Sequence, residues 1–398
     1  MNLQGKTVLV TGGTGFIGGR LVERLHIEHG CRIRVLVRTF ANATRIAPYP
    51  IELVGGDLRD AESVEQAVRG CDVVFHCAHD FVPTLEGQRK TGVEGTRNVA
   101  RAVLTQGVER FVHLSSVAVY QPLLSGEVTE SSPWPESRNP YVLAKREAEE
   151  LIAELHAGRG LPAVVLQPTI VYGPFASFWT LNPVRRLRSG RVPLLDGGNG
   201  ICNPVYVDDV VESMTLAATV PGAEGETCLI SGSEPVTWRE FYEALDRIAG
   251  TDSLVELSVE EMRRMARRRE RRKRLHARLL RKARNPDVWS RVGRLWGLGV
   301  EGGGVSGRVV SALAARWLES AEEDRRKAGM GIGPAEPSIH LPTEPLIEAQ
   351  TARARVRIDR ARQILGYAPA FDLARGMEVT GRYLEWTNLL GRVGLQAS

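Results

Sequence analysis

The sequence predicts an α/β protein, a doubly wound parallel sheet with helices on both faces. A smaller mixed C-terminal region follows, and a basic helical insertion interrupts it. Three observations carry this. Short apolar runs alternate with helical patterns over residues 7–172, and a glycine-spaced turn joins the first run to the first helix. Beyond Pro168 the regularity fades into turns rich in Gly and Pro.

The expected strands are Thr7–Val10, Ile33–Val37, Ile51–Val54, Val73–Cys77, Phe111–Leu114 and Ala163–Leu166. Each is nearly continuous in apolar residues, as for strands buried on both faces. Helical patterns lie between several of them, at Arg20–His26, Ala61–Arg69, Val93–Leu104 and Tyr141–Ala157. Thr237 with Glu240 fits a capping box opening a helix to Ile248, and Ser258 with Glu261 fits another. Ile358–Leu389 resumes an ordinary amphipathic pattern. At 398 residues the chain is expected to form roughly two domains. Residues 1–166, rejoined by parts of 203–232, make the first; 167–255 and 345–398 make the second; 256–344 is the insertion.

Bulk properties limit the class. Apolar and charged fractions of 43% and 25% are those of an ordinary globular protein. Five scattered cysteines, never spaced as C-x-x-C, argue against a disulfide framework or a zinc site, and so for a reducing compartment. The opening MNLQGKTVLVTGG has no basic-then-apolar leader, so no signal peptide is expected. No run of about 18 apolar residues is present to span a bilayer. A cytoplasmic protein is expected, peripheral to a membrane at most.

The stretch VLVTGGTGFIGG carries the first chemical signal. An apolar strand ends at Thr11, and Gly12, Gly15 and Gly18 stand three apart before a helix. Gly12 permits the tight turn, Gly15 lets the backbone approach a pyrophosphate, and Gly18 allows close helix–strand packing. The helix N-terminus offers unpaired N–H groups to the anion. The pattern predicts a dinucleotide site. The second strand then ends in Arg38, where an NAD site usually places Asp or Glu for the ribose hydroxyls. A guanidinium suits a 2′-phosphate, so NADP(H) is favoured over NAD(H). Asp57 in GGDLRD follows the third strand, where a carboxylate accepts from the adenine amino group.

The stretch YVLAK sets Tyr141 and Lys145 four apart, on one face of a helix. An ammonium beside a phenol favours the phenolate, which predicts a Tyr141 pKa drawn from about 10 toward neutrality and a role as general acid/base. In HLSSVAVY a strand ends in Ser115 and Ser116, 25 residues before Tyr141.

With TGGTGFIG, GDL, SSVAVY, YVLAK, PTIVYGP and VYVDDVV, the chain resembles the extended short-chain dehydrogenase/reductase family, also called NAD-dependent epimerase/dehydratases. The resemblance covers about 1–255 and 345–398. It implies a Rossmann-type domain, a smaller C-terminal substrate domain and an active site between them. Ser116, Tyr141 and Lys145 match the family's catalytic serine, tyrosine and lysine. Phe16, Ile17, Leu58, Cys77, Ala78 and Pro168 join Gly12, Gly15, Gly18, Arg38 and Asp57 as expected cofactor contacts, and a homodimer is expected. The VLVR strand is most similar to the dihydroflavonol-type reductases, which use NADP.

Several positions depart from the pattern. Gly92 stands where the family commonly has Asn, and Gln167 where it usually has Arg. ICNPVYVDD lacks the Arg that clamps a nucleotide-sugar diphosphate, which weakens that assignment unless Arg185, Arg186, Arg188 and Arg191 replace it; an exposed helix face is the plainer reading of those four. Val117 and Ala118 occupy the place of the dehydratases' acid pair, which argues against dehydration. The leading expectation is therefore hydride transfer between NADP(H) and a ketone or secondary alcohol of a small or sugar-like substrate. Lys145 would hold the nicotinamide ribose, and Ser116 would hydrogen-bond the substrate oxygen. An NAD-dependent sugar epimerase and a non-catalytic cofactor-binding scaffold are the alternatives.

The segment RRRERRKRLHARLLRKAR fits none of this. Glu261–Arg284 holds 11 Arg and 2 Lys against 2 Glu, although the whole chain is only +5. Base-stacking aromatics are absent, so nucleic acid is disfavoured. Leu275, Leu279, Ala283, Val288, Val292, Leu295 and Trp296, then Val309, Val310, Leu313, Trp317 and Leu318, repeat helically. Two readings stay open, an accessory lid and docking to an anionic membrane surface through 261–318.

Overall fold

The computed structural model describes residues 1–80, 82–123, 125–283 and 339–390. The strands are β1 (Thr7–Thr11), β2 (Arg32–Val37), β3 (Glu52–Gly55), β4 (Val73–His76), β5 (Arg110–Leu114), β6 (Ser125–Val128), β7 (Ala163–Pro168), β8 (Ile170–Tyr172), β9 (Val192–Leu195), β10 (Pro204–Tyr206), β11 (Thr227–Ile230), β12 (Leu254–Leu257) and β13 (Arg353–Val356). Seven of them form one sheet in the order β11-β7-β5-β4-β1-β2-β3, every pair parallel. The order reverses between β1 and β4, so the crevice at their carboxyl ends is where this topology places ligands.

Both faces of the sheet are covered because both are apolar. Val8, Val10, Val35, Phe75, Val112 and Val164 point to one side, and Leu9, Val74, Phe111 and Val165 to the other. That alternation within unbroken apolar runs is why the strands read as continuous rather than two-periodic. The first of these clusters continues through Tyr172, Tyr206, Trp238 and Tyr367, tying the C-terminal elements to the sheet.

The helices are α1 (Phe16–His29), α2 (Ala61–Val68), α3 (Leu85–Arg89), α4 (Thr96–Gln106), α5 (Pro140–Arg159), α6 (Asn182–Ser189), α7 (Val207–Thr219), α8 (Trp238–Ala249), α9 (Val259–Ala283), α10 (Glu344–Thr351), α11 (Asp359–Leu365) and α12 (Leu373–Trp386). Two details differ from expectation. The helix expected from Val93 begins as a π-helical turn, Lys90–Gly95, before α4 takes over. Strand β11 was too short and too closely flanked by Gly-bearing turns to read from sequence, yet it pairs along β7.

Both expected capping boxes form. The Thr237 hydroxyl accepts from the Glu240 N–H at 3.2 Å and the Glu240 carboxylate accepts from the Thr237 N–H at 2.7 Å. Ser258 and Glu261 do the same at the start of α9. The first turn of α9 is anchored by the buried Met262 against Leu195 and Ile347. Arg263, Arg264, Arg267, Arg268, Arg269, Arg271 and Arg274 of the same helix are exposed. The apolar side chains expected from Leu275 to Leu318 lie outside the described residues. Among the described residues, no helix is long and apolar enough to cross a membrane.

Candidate active site

The glycine turn is set by what a side chain would strike. Gly12 has φ +71°, and a Cβ there would lie 2.7 Å from the Ala78 nitrogen; a Cβ on Gly18 would run into the Gly12 carbonyl. α1 therefore starts directly against the end of β1. Its N-cap is Gly15, and no side chain caps it. An uncapped helix start facing a side-chain-free cradle fits a dinucleotide pyrophosphate. Phe16 and Ile17 follow in the first turn, partly buried against the core. Cys77 and Ala78 continue β4, held by Thr11 through N–H bonds of 3.1 and 3.4 Å. Leu58 is buried after β3, and Pro168 ends β7.

Charged groups line the outer end of this crevice. Arg38, at the end of β2 and 59% exposed in its side chain, donates to both Asp80 carboxylate oxygens, at 2.8 and 2.7 Å. Asp80 also accepts from the Thr91 hydroxyl at 3.0 Å. Asp57 accepts from the Arg59 backbone and guanidinium at 2.6 to 3.0 Å, which holds its carboxyl below the usual range. β2 and β4 flank β1, so Arg38, just after β2, and Asp80, four residues after β4, meet from strands on either side of it. Arg38 thus already holds a carboxylate partner at the position where a 2′-phosphate contact is expected. Asp80 is a residue the sequence reading missed, since nothing in AHDFVPT marks it.

At the inner end, Asn139 caps α5 by accepting from the Tyr141 N–H at 3.0 Å, which fixes Tyr141 in the first turn. Ser116 follows the end of β5; its hydroxyl accepts from the Ala118 N–H at 3.2 Å and acts on the Tyr141 phenol, pulling its pKa down. Lys145, one turn further on, is buried and donates to the Leu114 carbonyl at 2.9 Å. The structure thus gathers Ser116, Tyr141 and Lys145 at one place. Tyr141 was expected to be drawn toward neutrality by Lys145. Here burial of the hydroxyl raises it above the usual phenol value instead, and only Ser116 pulls the other way. Burial also lowers the Lys145 ammonium to about 8. Desolvation opposes both charged forms and is the largest cause of each shift.

The wider shell is rich in buried, neutral groups. His79 packs edge-on to Tyr141, with ring centroids 4.9 Å apart. His76 bridges Thr11 and Thr96 at 2.7 and 3.0 Å, and burial holds it neutral with a pKa of about 3. His113 beside it is fully enclosed and also neutral. Glu149 extends the Tyr141–Lys145 spacing by four more residues. Its buried carboxyl accepts from the Ser115 hydroxyl and, at 3.0 and 2.8 Å, from the Gln167 amide, and burial raises its pKa. Gln167 in turn accepts from the Tyr120 hydroxyl at 3.1 Å. The helical stripe Tyr141, Lys145, Glu149 was legible by extending one spacing, and the sequence reading stopped short of it.

Arg185, Arg186 and Arg188 lie on the exposed face of α6, and Arg191 donates to the Asp252 carbonyl. Gly92 lies 3.9 Å (from an ideal Cβ) from the His79 ring, inside the π-helical turn.

Comparisons with known proteins agree with this geometry. The model of the NAD dependent epimerase/dehydratase family matches residues 8–230. A 4-hydroxy-2-methyl-3-oxo-4-farnesyl-3,4-dihydroquinoline-1-oxide ketoreductase of Stigmatella aurantiaca is 31% identical over 59% of this chain and 71% of its own. A putative dihydroflavonol 4-reductase of Synechocystis is 33% identical over 58% and 67%. Among solved structures, a UDP-glucose 4-epimerase of Thermotoga maritima with UDP-glucose superposes with a TM-score of 0.65 at 21% identity, covering 96% of this chain and 99% of that one. At that identity the likeness speaks for the fold.

Proposed function

Since the chain belongs to the NAD-dependent epimerase/dehydratase family and is an NAD(P)-dependent oxidoreductase or epimerase, we propose that it interconverts a ketone and a secondary alcohol with NADP(H). The observation that carries this reading is the grouping of Ser116, after β5, with Tyr141 in the first turn of α5 and the buried Lys145 one turn behind it. In this reading the sheet half, 1–166 with parts of 203–232, holds the cofactor, and 167–255 with 345–398 shapes the substrate site. Gly12, Gly15, Gly18, Phe16 and Ile17 seat the pyrophosphate, and Asp57, Leu58, Cys77 and Ala78 line the adenosine side. Arg38 meets the 2′-phosphate once it leaves Asp80, and Pro168 borders the nicotinamide. The bound cofactor supplies or accepts hydride.

The chain's own residues manage the proton. Tyr141, kept protonated by burial, donates to the carbonyl oxygen as the alcohol forms and withdraws that proton in the reverse direction. Ser116 hydrogen-bonds the same oxygen and keeps it within reach of the phenol. Lys145 holds the nicotinamide ribose and, as a cation, stabilises the phenolate left after donation. Stoichiometric loss of NADPH absorbance on adding a ketone supports the reading. Interconversion of two sugar epimers without net cofactor turnover would replace it with an epimerase.

We assign to the basic segment a docking role at anionic membrane surfaces, supported by the exposed arginines along α9. Each such cation contributes about 1 kcal/mol near an anionic surface, so binding should fade steeply with salt. Sedimentation with anionic and neutral vesicles checks it. Equal recovery in the supernatant with both vesicle types at low salt would leave the segment as a lid or a solvated face.

A further inference from the structure

A second cleft begins one residue from each of two candidate site positions. Val117 follows Ser116 and Thr169 follows Pro168, and both line an open space of about 610 Å³. Its floor is the turn after β5 together with Ile170, and its far wall is α10 with β13. It therefore lies at the carboxyl ends of β5 and β7, on the Tyr141 side of the crevice, where ligands of such sheets sit.

The chemistry of the wall is specific. Leu123, Ile170, Trp179, Ile201, Trp238 and Val356 give it an apolar and aromatic surface. Among the described residues, no lysine or arginine lines it, and the carboxylate there, Glu348, is at the exposed rim. Most of its polar groups are already engaged. Thr169 donates to the Ile230 carbonyl at 3.3 Å. The Asn203 amide serves Ala354 and Val356 at 2.8 and 3.0 Å, and the Trp238 indole donates to Ala349 at 2.7 Å. Burial keeps the Cys202 thiol protonated. A diphosphate placed here would lose its hydration, meet no cation among the described residues and face Glu348, a loss that these walls do not offset. An apolar body would instead meet walls of the kind that hold ligands by packing.

We propose that this cleft receives the uncharged, apolar body of the substrate, so that the chain acts on bulky hydrophobic ketones, long-chain or polycyclic, and not on nucleotide-linked sugars. The inference rests on the oxidoreductase reading for the position of the reacting carbonyl, while the cleft's preference stands on its walls alone. Recognition then divides in two. Ser116 and Tyr141 take the oxygen, and Trp179, Ile170 and the α10 face take the carbon skeleton.

The test is calorimetric binding to the full chain in saturating NADP⁺, with 2-alkanones of increasing chain length and with UDP-glucose, beside NADPH-dependent turnover of the same ketones. Affinity should climb by up to roughly fourfold per added methylene until the cleft is filled, the ratio expected from burying one such group at about 0.8 kcal/mol. UDP-glucose should not compete with the longest ketone. Ala349→Trp, which fills the cleft, should weaken the longest ketone by at least about tenfold and leave the shortest unchanged. Trp179→Ala, which removes a wall, should weaken the long ketones again and serves if the first variant folds poorly. Chain-length dependence in binding without turnover would uphold the cleft assignment and remove the ketone-reductase reading. Turnover of short ketones with no dependence on chain length, no effect of either variant, or competition by UDP-glucose would overturn the cleft assignment and leave the reductase reading in place.

Discussion

At the outer end of the crevice, beside β2 and β3, the candidate side chains and their partners are charged, at least half exposed in the case of both arginines, and paired with one another: Arg38 with Asp80, Arg59 with Asp57. At the inner end, beside β5 and α5, Lys145 and Glu149 are buried and surrounded by neutral histidines. The two ends therefore answer to different physics. Exposed ion pairs are weak and exchange partners readily, which suits a choice between two cofactors. A desolvated lysine lowered to about 8 beside a phenol raised above its usual value suits proton transfer.

The comparison breaks most visibly at the inner end. Tyr141→Phe should bind cofactor normally and lose about 10²- to 10⁴-fold in turnover, since a positioned acid is worth that much. Single-turnover kinetics with a reducible ketone measures it, and retention of more than about a tenth of the wild-type rate would take Tyr141 out of the chemistry. At the outer end, Arg38→Asp should invert cofactor preference. Loss of a charge-assisted phosphate contact costs about 1.5–3 kcal/mol, hence about 10- to 100-fold in NADPH affinity. Titration of NADPH and NADH against both proteins checks it, and unchanged relative affinities would leave another residue as the selector.

A pH profile sharpens the inner end. Lys145 is lowered by burial to about 8, whereas Tyr141 is raised above its ordinary value. Below about 8 the free enzyme holds a charged lysine and a protonated phenol, the form that reduction needs. As pH rises through 8 the lysine discharges first, so kcat/KM for reduction should be flat on the acid side and fall about tenfold per unit above it. Lys145→Met should abolish that limb, and a limb surviving in the variant would belong to another group. The smallest effect is at the rim. Asp80→Asn frees Arg38 from an exposed pair worth about 0.2–1 kcal/mol, so NADPH affinity should rise by about 1.4- to fivefold with turnover unchanged.

These regions also differ in how far the sequence disclosed them. The sheet was legible because strands buried on both faces leave unbroken apolar runs, as at Val73–His76, and because Gly12 and Gly18 stand where a Cβ has no room. The Tyr141–Lys145 stripe was legible because a helix repeats its face every four residues. Asp80 was not, since its partner Arg38 is 42 residues away and the turn after β4 that carries it has no periodicity. The sign of the Tyr141 shift was misread for a related reason. Spacing along a helix reports a neighbour's charge but not the burial that outweighs it. The apolar cleft was equally hidden, because its walls come from 117–123, 169–203 and 345–356, which meet only in the folded chain.

The most direct measurement follows deuterium from cofactor to product. NADPH carrying deuterium at nicotinamide C4 is mixed with the wild-type chain and a long-chain 2-alkanone, and the alcohol is analysed by mass and by NMR. The account predicts one deuterium at the carbinol carbon, one NADPH consumed per alcohol, and loss of the product signal in Tyr141→Phe. Alcohol without deuterium, or undiminished labelling in Tyr141→Phe, would contradict it.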